Sequence, residues 1–332
     1  MRTPPTALAL RQARQRLLEH GDCPSEGLDA RVARSWRRSL AAGLLPGGRM
    51  MDTEHANAAE LSRLMASQHE LLVHSRPVMD VLFAQVQGSQ GMVILADACG
   101  TLMHTLGRAD FLQRAQQVAL SCGASWHERN RGTNAIGTAL AEGCEIDIHG
   151  GEHFLDRHEF LTCTAAPITS STGKLLGVLD ISGDHRAGHP HTQGLVSMAA
   201  RLIENRLMTA TATPYIRLHL HTQREGIGTV AEGIVLLSGD GWVVGGNRAG
   251  MGWLGLAQAD IGSVQVNTLL DVPLNTLLAQ CHRRPNEPVR VQRLNGEPLF
   301  VLVQPSPATL AGRTTALAHG PQRPASQTPS PG

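Results

Sequence analysis

Between residues 54 and 211 the apolar spacing changes period twice, and that pattern restricts the fold more than any other feature of the chain. Residues 54–76 set Leu61, Leu64, Met65, Leu71 and Leu72 on one helical stripe. Pro77 predicts a kink or a fresh start, after which the pattern resumes from Val78 to Val86. From Gly91 it gives way to short apolar runs. GMVILAD and TLMHTL flank an Ala98-Cys99-Gly100 turn as a hairpin, and CEIDIH, FLTCTAAPI and LLGVLDISG read as further strands, the last two joined by a Ser171-Thr172-Gly173-Lys174 turn. Helices are expected over about 109–122 and 134–142. Helical spacing then returns over 191–211 with Leu195, Met198, Leu202, Ile203 and Leu207. Mixed strands enclosed by long helices make one α+β domain, 54–211, whose flanking helices either pack on it or pair with a second subunit.

The remaining chain divides around that block. Residues 1–53 predict a helical region, with helices over about 6–20 and 26–43; Leu28, Val32, Trp36 and Leu40 recur every four residues in the second, which Gly43 and Pro46 end. Residues 212–226 read as a linker. Residues 227–305 form a second, smaller α+β domain: GIVLLSGDGWVVGGN is strand, turn, strand; short helices follow over about 248–258 and 273–282; VRVQRL-NG-EPLFVLVQ closes it as a hairpin on Asn295-Gly296. Residues 306–332, rich in Pro, Ser, Thr and Gly and without an acid, read as a disordered tail.

Several functions are excluded or disfavoured at once. The only lysine, Lys174, follows Gly173 but not in a G-x-x-x-x-G-K-[ST] setting, so P-loop ATP hydrolysis is excluded. A net charge of +1 over 332 residues gives no general attraction to nucleic acid or anionic membranes. Nine arginines against four acids enrich residues 1–50 in positive charge, yet Arg31, Arg34, Arg37 and Arg38 spread around their helix, so direct DNA binding is not expected. No run of 18 apolar residues suggests a membrane span, and the first 20 residues hold no continuous apolar signal core, so a cytoplasmic protein is expected. The six cysteines are widely spaced, as free thiols would be.

Five separated motifs, in order, resemble the sensory half of acetoin-catabolism-type regulators, which are sigma-54-dependent bacterial transcriptional activators. They are R-V-A-R-S-W-R-R-S-L-A-A-G-L-L-P (31–46), W-H-E-R-N-R-G-T-N-A-I-G-T-A-L (126–140), G-E-H-F-L (151–155), L-T-C-T-A-A-P-I (161–168) and G-V-L-D-I-S-G (177–183). The resemblance implies a GAF sensor over about 67–210 and a PAS-like module over 227–305. It implies a small effector of the short-chain carbonyl or hydroxy class, a homodimer, and signalling through the flanking helices. The AAA+ ATPase and helix-turn-helix of that family are absent from this sequence. A sensor without its output, or a dimerising antagonist of full-length activators through mixed dimers, is therefore expected.

The candidate ligand-binding residues are Trp126, Glu128, Gly132, Thr133, Asn134, His153, Phe154 and Cys163. Gly132 permits an unusual turn, and Thr133 and Asn134 are N-cap types; they either line a pocket or simply start a helix. Trp126 is a pocket wall with an indole donor or a core residue. Glu128 either orients a ligand hydroxyl or pairs with Arg129 or Arg131 at the surface. Cys144, His149, His153, His158 and Cys163 are zinc-ligand types, but Gly150-Gly151 breaks the helical spacing of His149 and His153, and Cys144 and His149 face opposite sides of a strand. A loop carrying His153 and Phe154 over the pocket mouth is expected, with no metal and no cofactor. Some GAF-fold proteins are methionine-sulfoxide reductases, which keeps a thiol enzyme using Cys163 as the alternative; nothing in the sequence visibly lowers its pKa.

Overall fold

The computed structural model describes residues 5–21, 28–48, 55–86, 88, 91–184, 191–210 and 214–305. The chain divides after Thr209 into two compact units.

The first unit opens with α1 (Ala7–His20), capped by the Thr6 side chain and closed by Gly21 in the left-handed conformation, and α2 (Ala30–Ala41), capped by Asp29. The break in the next stripe falls between α3 (Ala58–Ser67) and α4 (His69–Val86), at Gln68. Of the kink or fresh start expected at Pro77, the fresh start does not occur: α4 runs through that residue, whose nitrogen cannot donate a helical hydrogen bond. The sheet comprises β1 (Met92–Asp97), β2 (Leu102–Gly107), β3 (Ile146–His149), β4 (Leu161–Thr169) and β5 (Leu175–Asp184) in the order β2-β1-β5-β4-β3, with every neighbour antiparallel. Between β2 and β3 lie α5 (Ala109–Gln116), α6 (Glu128–Arg131) and α7 (Ala135–Glu142). The helix expected to 122 ends early because the chain turns through Ala119 at φ 54°. α8 (Thr192–Ala210) closes the unit.

Strand alternation gives this sheet two buried faces. Val93, Leu95, Leu179, Ile181 and Ile168 pack against Leu72, Met79 and Leu82 of α4 and against Val196, Ala200 and Ile203 of α8. Met92, Ile94, Cys163, Ala165 and Val178 face the other way, into a core shared with Leu10 and Leu17 of α1, Val32 and Trp36 of α2, Trp126, Ile136 and Phe154. At about 25 cal/mol per Å² of apolar surface, both faces contribute to stability, so the sheet has no wet side.

The second unit is also α+β. It contains β6 (Ile216–His221), β7 (Gly233–Leu237), β8 (Val243–Gly246), α9 (Arg248–Trp253), α10 (Leu274–Arg283), β9 (Val289–Gln292) and β10 (Pro298–Gln304), with sheet order β8-β7-β6-β10-β9. The expected linker over 212–226 is corrected here, because β6 lies inside it and forms the middle of the sheet. Its sequence, I-R-L-H-L-H, alternates apolar and polar residues, and Ile216, Leu218 and Leu220 enter the core beside Val235, Leu237, Val301 and Val303. The disordered tail expected over 306–332 lies outside the described residues.

Candidate functional site

The segment 126–140 folds as two short helices joined by a glycine turn. Asn134 caps α7: its Oδ1 accepts the Gly137 N–H at 2.8 Å, while its Nδ2 donates to the carbonyls of Trp126 (3.0 Å) and Gly132 (2.8 Å). Both amide hydrogens thus hold the turn together. Gly132 has φ 65° and ψ −165°, a region essentially reserved for glycine. A Cβ there would stand 2.8 Å from Cβ of Phe154, whose N–H donates to the Thr133 carbonyl at 3.2 Å.

Glu128 departs from the expected surface pair. It is buried, and its partners come from α2 and α7: Ser35 Oγ donates to Oε1 at 2.5 Å, Thr138 Oγ1 to Oε1 at 2.8 Å, and Arg38 Nη2 to Oε1 at 3.0 Å. Ser35 Oγ also lies 2.7 Å from Thr133 Oγ1, and Ser39 Oγ donates to the Ser35 carbonyl at 2.9 Å. Arg34 and Arg38 both reach Glu142. The R-S-W-R-R-S and G-T-N motifs, far apart in sequence, are two halves of one buried hydrogen-bonded interface. A charge satisfied by several hydrogen bonds tolerates burial; the partner of Glu128 lies 90 positions upstream, beyond any local spacing argument.

Residues 150–160, expected over a pocket mouth, instead close the core as two single 3₁₀ turns, Gly150–Glu152 and Asp156–His158. His153 and Phe154 are completely buried. The N-terminal helices grip this loop from outside. Arg14 Nη2 of α1 donates to the carbonyls of Gly151 and His153, both at 2.8 Å, and Arg14 Nη1 pairs with Asp156. Trp36 Nε1 of α2 donates to the Glu152 carbonyl at 2.7 Å, with the Arg14 guanidinium 5.3 Å above its ring.

His153 and His158, both weighed from the sequence as zinc-ligand types, sit inside the loop. His158 stacks on Trp126 with ring centroids 4.9 Å apart, and His153 approaches His158 edge-on at 6.2 Å. The Trp126 indole N–H is taken by the Ala119 carbonyl at 2.9 Å, so it offers a wall and no free donor. His153 Nε2 and both ring nitrogens of His158 have no hydrogen-bond partner. Burial holds His153 down to about 4, and pushes His158 well below the usual imidazole value, helped by His153, Arg131 and Arg157. Both rings are neutral near pH 7.

Across the same core, Asp180 and Ser182 of β5 lie beside Ala165 and Cys163 of β4. Ser182 Oγ donates to Asp180 Oδ2 at 2.6 Å and lies 3.0 Å from Cys163 Sγ, whereas Asp180 Oδ1 has no partner. Burial pushes the Asp180 carboxyl up to about 7 against the Ser182 bond. Cys163 is raised well above the usual thiol range, by burial first and Asp180 second. A thiol kept protonated and enclosed is a poor nucleophile.

The structure therefore brings Trp126, Phe154 and Cys163 into one core with His153 and adds His158, Asp180 and Ser182. Glu128, Thr133 and Asn134 hold helices to one another, and Gly132 makes room for Phe154. An acid in the middle of the apolar run LLGVLDISG was the available signal for Asp180. A cleft of about 500 Å³ opens between α1 and the outer side of the 150–160 loop, lined by Leu10, Arg14, Gly151, Asp156, Glu159 and Thr162 among others; none of the eight expected residues lines it.

A family model described as the GAF domain matches residues 70–207. The acetoin catabolism regulatory protein of Cupriavidus necator is 31% identical over 78% of this chain and 40% of its own length. The acetoin dehydrogenase operon transcriptional activator AcoR of Bacillus subtilis is 30% identical over 59% of this chain and 32% of its own. The propane 2-monooxygenase operon transcriptional activator MimR of Mycolicibacterium smegmatis is 28% identical over 69% and 38%. The chain thus spans well under half the length of these relatives. Among solved structures, the E. coli DhaR(N)-DhaL complex contains a chain matched over its whole length and 83% of this one, with TM-score 0.51 and 15% identity, a likeness of fold. Residues 70–207 are accordingly a GAF domain, in a chain that matches the N-terminal sensory region of acetoin-type transcriptional regulators.

Proposed function

We propose that this chain is the sensing region of a transcriptional regulator and that a small effector enters the core between the inner sheet face and the 150–160 loop. The observation that carries this reading is the set of buried polar atoms without partners: His153 Nε2, His158 Nδ1 and Nε2, and Asp180 Oδ1. Each such atom costs roughly 1–3 kcal/mol unless something pairs with it, and four in one core favour an occupant that does so. Trp126, Phe154 and Cys163 supply the surrounding walls. Gly132, Thr133, Asn134 and Glu128 act one layer out, by fixing the loop and α2 around it. An occupant reaching these atoms displaces the 150–160 loop, and Arg14 and Trp36 tie that loop to α1 and α2, so the signal leaves through the N-terminal helices.

The relatives are regulators of transcription, which supports a sensor over an enzyme, and the raised pKa of buried Cys163 argues against the thiol-enzyme alternative. Val73 and Val81 of α4 and Met198 and Leu202 of α8 are exposed, which supports pairing of these helices in a homodimer or a mixed dimer with a full-length activator. Among the described residues no helix is long and apolar enough to cross a membrane, in keeping with a cytoplasmic regulator.

The test is a thermal-shift screen of short-chain hydroxy and carbonyl compounds against the whole chain and His158→Phe, which keeps the stack on Trp126 and removes both nitrogens. A saturable rise in melting temperature that the variant loses is expected. A compound that stabilises both proteins equally places binding elsewhere.

A further inference from the structure

The centre of the inner sheet face carries a carboxyl that the fold does not use. Asp180 lies on β5, the middle strand, between Ile94 of β1 and Ala165 of β4, and is fully buried. Ser182 satisfies one of its oxygens and, among the described residues, no cation pairs with it in a salt bridge. An uncompensated carboxyl in an apolar setting costs stability; an alanine in its place would cost less.

The second acceptor is fixed by the tautomer of His153. Its Nδ1 lies 3.0 Å from the Gly150 carbonyl, and a carbonyl only accepts, so Nδ1 carries the hydrogen and Nε2 is a bare acceptor. The core thus holds two unfilled acceptors, Asp180 Oδ1 and His153 Nε2, while neutral His158 offers one donor and one acceptor. An occupant that completes them must bring hydrogen-bond donors. Above about pH 7, where the Asp180 carboxyl is ionised, a carboxylate group brings only acceptors and adds a second negative charge to a region of low dielectric, where like charges repel strongly.

Resting on the effector reading above, we propose that Asp180 is the selecting residue of the site: it accepts a hydroxyl hydrogen from a small uncharged alcohol and excludes the carboxylate analogue of the same size. A site built to hydrogen-bond a hydroxyl discriminates far better than an apolar pocket, because the analogue leaves its polar groups unpaired.

Propane-1,2-diol and lactate share a three-carbon skeleton and differ by a hydroxymethyl against a carboxylate. Each is titrated at pH 8 into the full ¹⁵N-labelled chain while the Trp126 indole signal, identified with Trp126→Phe, is followed. Saturable shifts with the diol and at least about tenfold weaker effects with lactate are expected. Asp180→Asn, which keeps size and polarity, should weaken the diol by about tenfold and level the two probes, while melting no lower than the parent at pH 8. Lactate binding as well as the diol, or Asp180→Asn retaining the preference, overturns the role of Asp180 and leaves the pocket standing. A Trp126 signal that neither probe moves overturns the pocket and this inference together.

Discussion

Gly132 and Phe154 touch so closely that one methyl group at position 132 would lie 2.8 Å from Cβ of the phenylalanine. The contact sets the loop against the α6–α7 turn, and φ 65° with ψ −165° at Gly132 adds a conformational barrier to any other residue. Gly132→Ala should cost about 2–4 kcal/mol, from strain together with overpacking. Urea denaturation measures this directly; a change under about 0.5 kcal/mol would show that the turn relaxes freely.

Glu128 is the shared acceptor of Ser35, Thr138 and Arg38. Truncating it leaves two buried hydroxyls and a half-buried guanidinium short of a partner, so Glu128→Ala should cost about 3 kcal/mol. Limited proteolysis should then cut around α2 before any site in the sheet. Uniform loss of protection across the first unit would count against a local role.

Arg14 holds two consecutive parts of the loop through the carbonyls of Gly151 and His153. Arg14→Ala removes both bonds, and amide exchange across 151–156 should accelerate by about tenfold, the equivalent of roughly 1.4 kcal/mol of local opening. Exchange in β1 and β5 should stay unchanged. Equal acceleration in those strands would mean that Arg14 stabilises the whole unit and has no special hold on the loop.

Asp180 makes stability depend on pH in a stated direction. Its carboxyl is pushed up to about 7 in the folded chain against an unfolded value near 3.8, so the folded state binds the extra proton between those values. Its contribution is present below about pH 4 and lost as pH rises through 7, up to about 4 kcal/mol in all. The Cys163 thiol on β4, which interacts with it, stays protonated throughout, and the buried imidazoles of His153 and His158 have losses that run the other way as pH falls below 6.5. Comparing the parent with Asp180→Asn isolates the carboxyl. The advantage of the variant should grow from pH 4.5 to pH 7 and then level off; a constant difference refutes the assignment.

The exposed apolar residues of α4 and α8 give a fifth expectation. If these faces pair two subunits, Val81→Glu combined with Met198→Glu should halve the mass seen by light scattering and leave helical content intact. An unchanged mass would leave the two faces solvent-exposed.

Periodicity located most of the helices and strands of the first unit, since one buried face at 2.0 or 3.6 spacing is a local property. What it missed has nonlocal causes. The break at Gln68 and the turn at Ala119 depend on where the helices meet the sheet, and β6 was hidden because six alternating residues between two breaks resemble any polar connection. At the candidate site, Trp126, His153, Phe154 and Cys163 were singled out in the sequence and lie in one core. Glu128 was misplaced because its burial depends on α2, and Asp180 was overlooked because a single acid in an apolar strand gives no pattern to count.

β6 occupies the middle of the second sheet, flanked by β7 and β10. A fragment cut at residue 227 would therefore lose the one strand that joins two hairpins, β7–β8 and β9–β10, and each would present a bare edge of unpaired amides and carbonyls. Such edges add strands from other molecules. A fragment of this unit that begins after β6 would be expected to precipitate, while one that keeps Ile216 onward retains a continuous sheet.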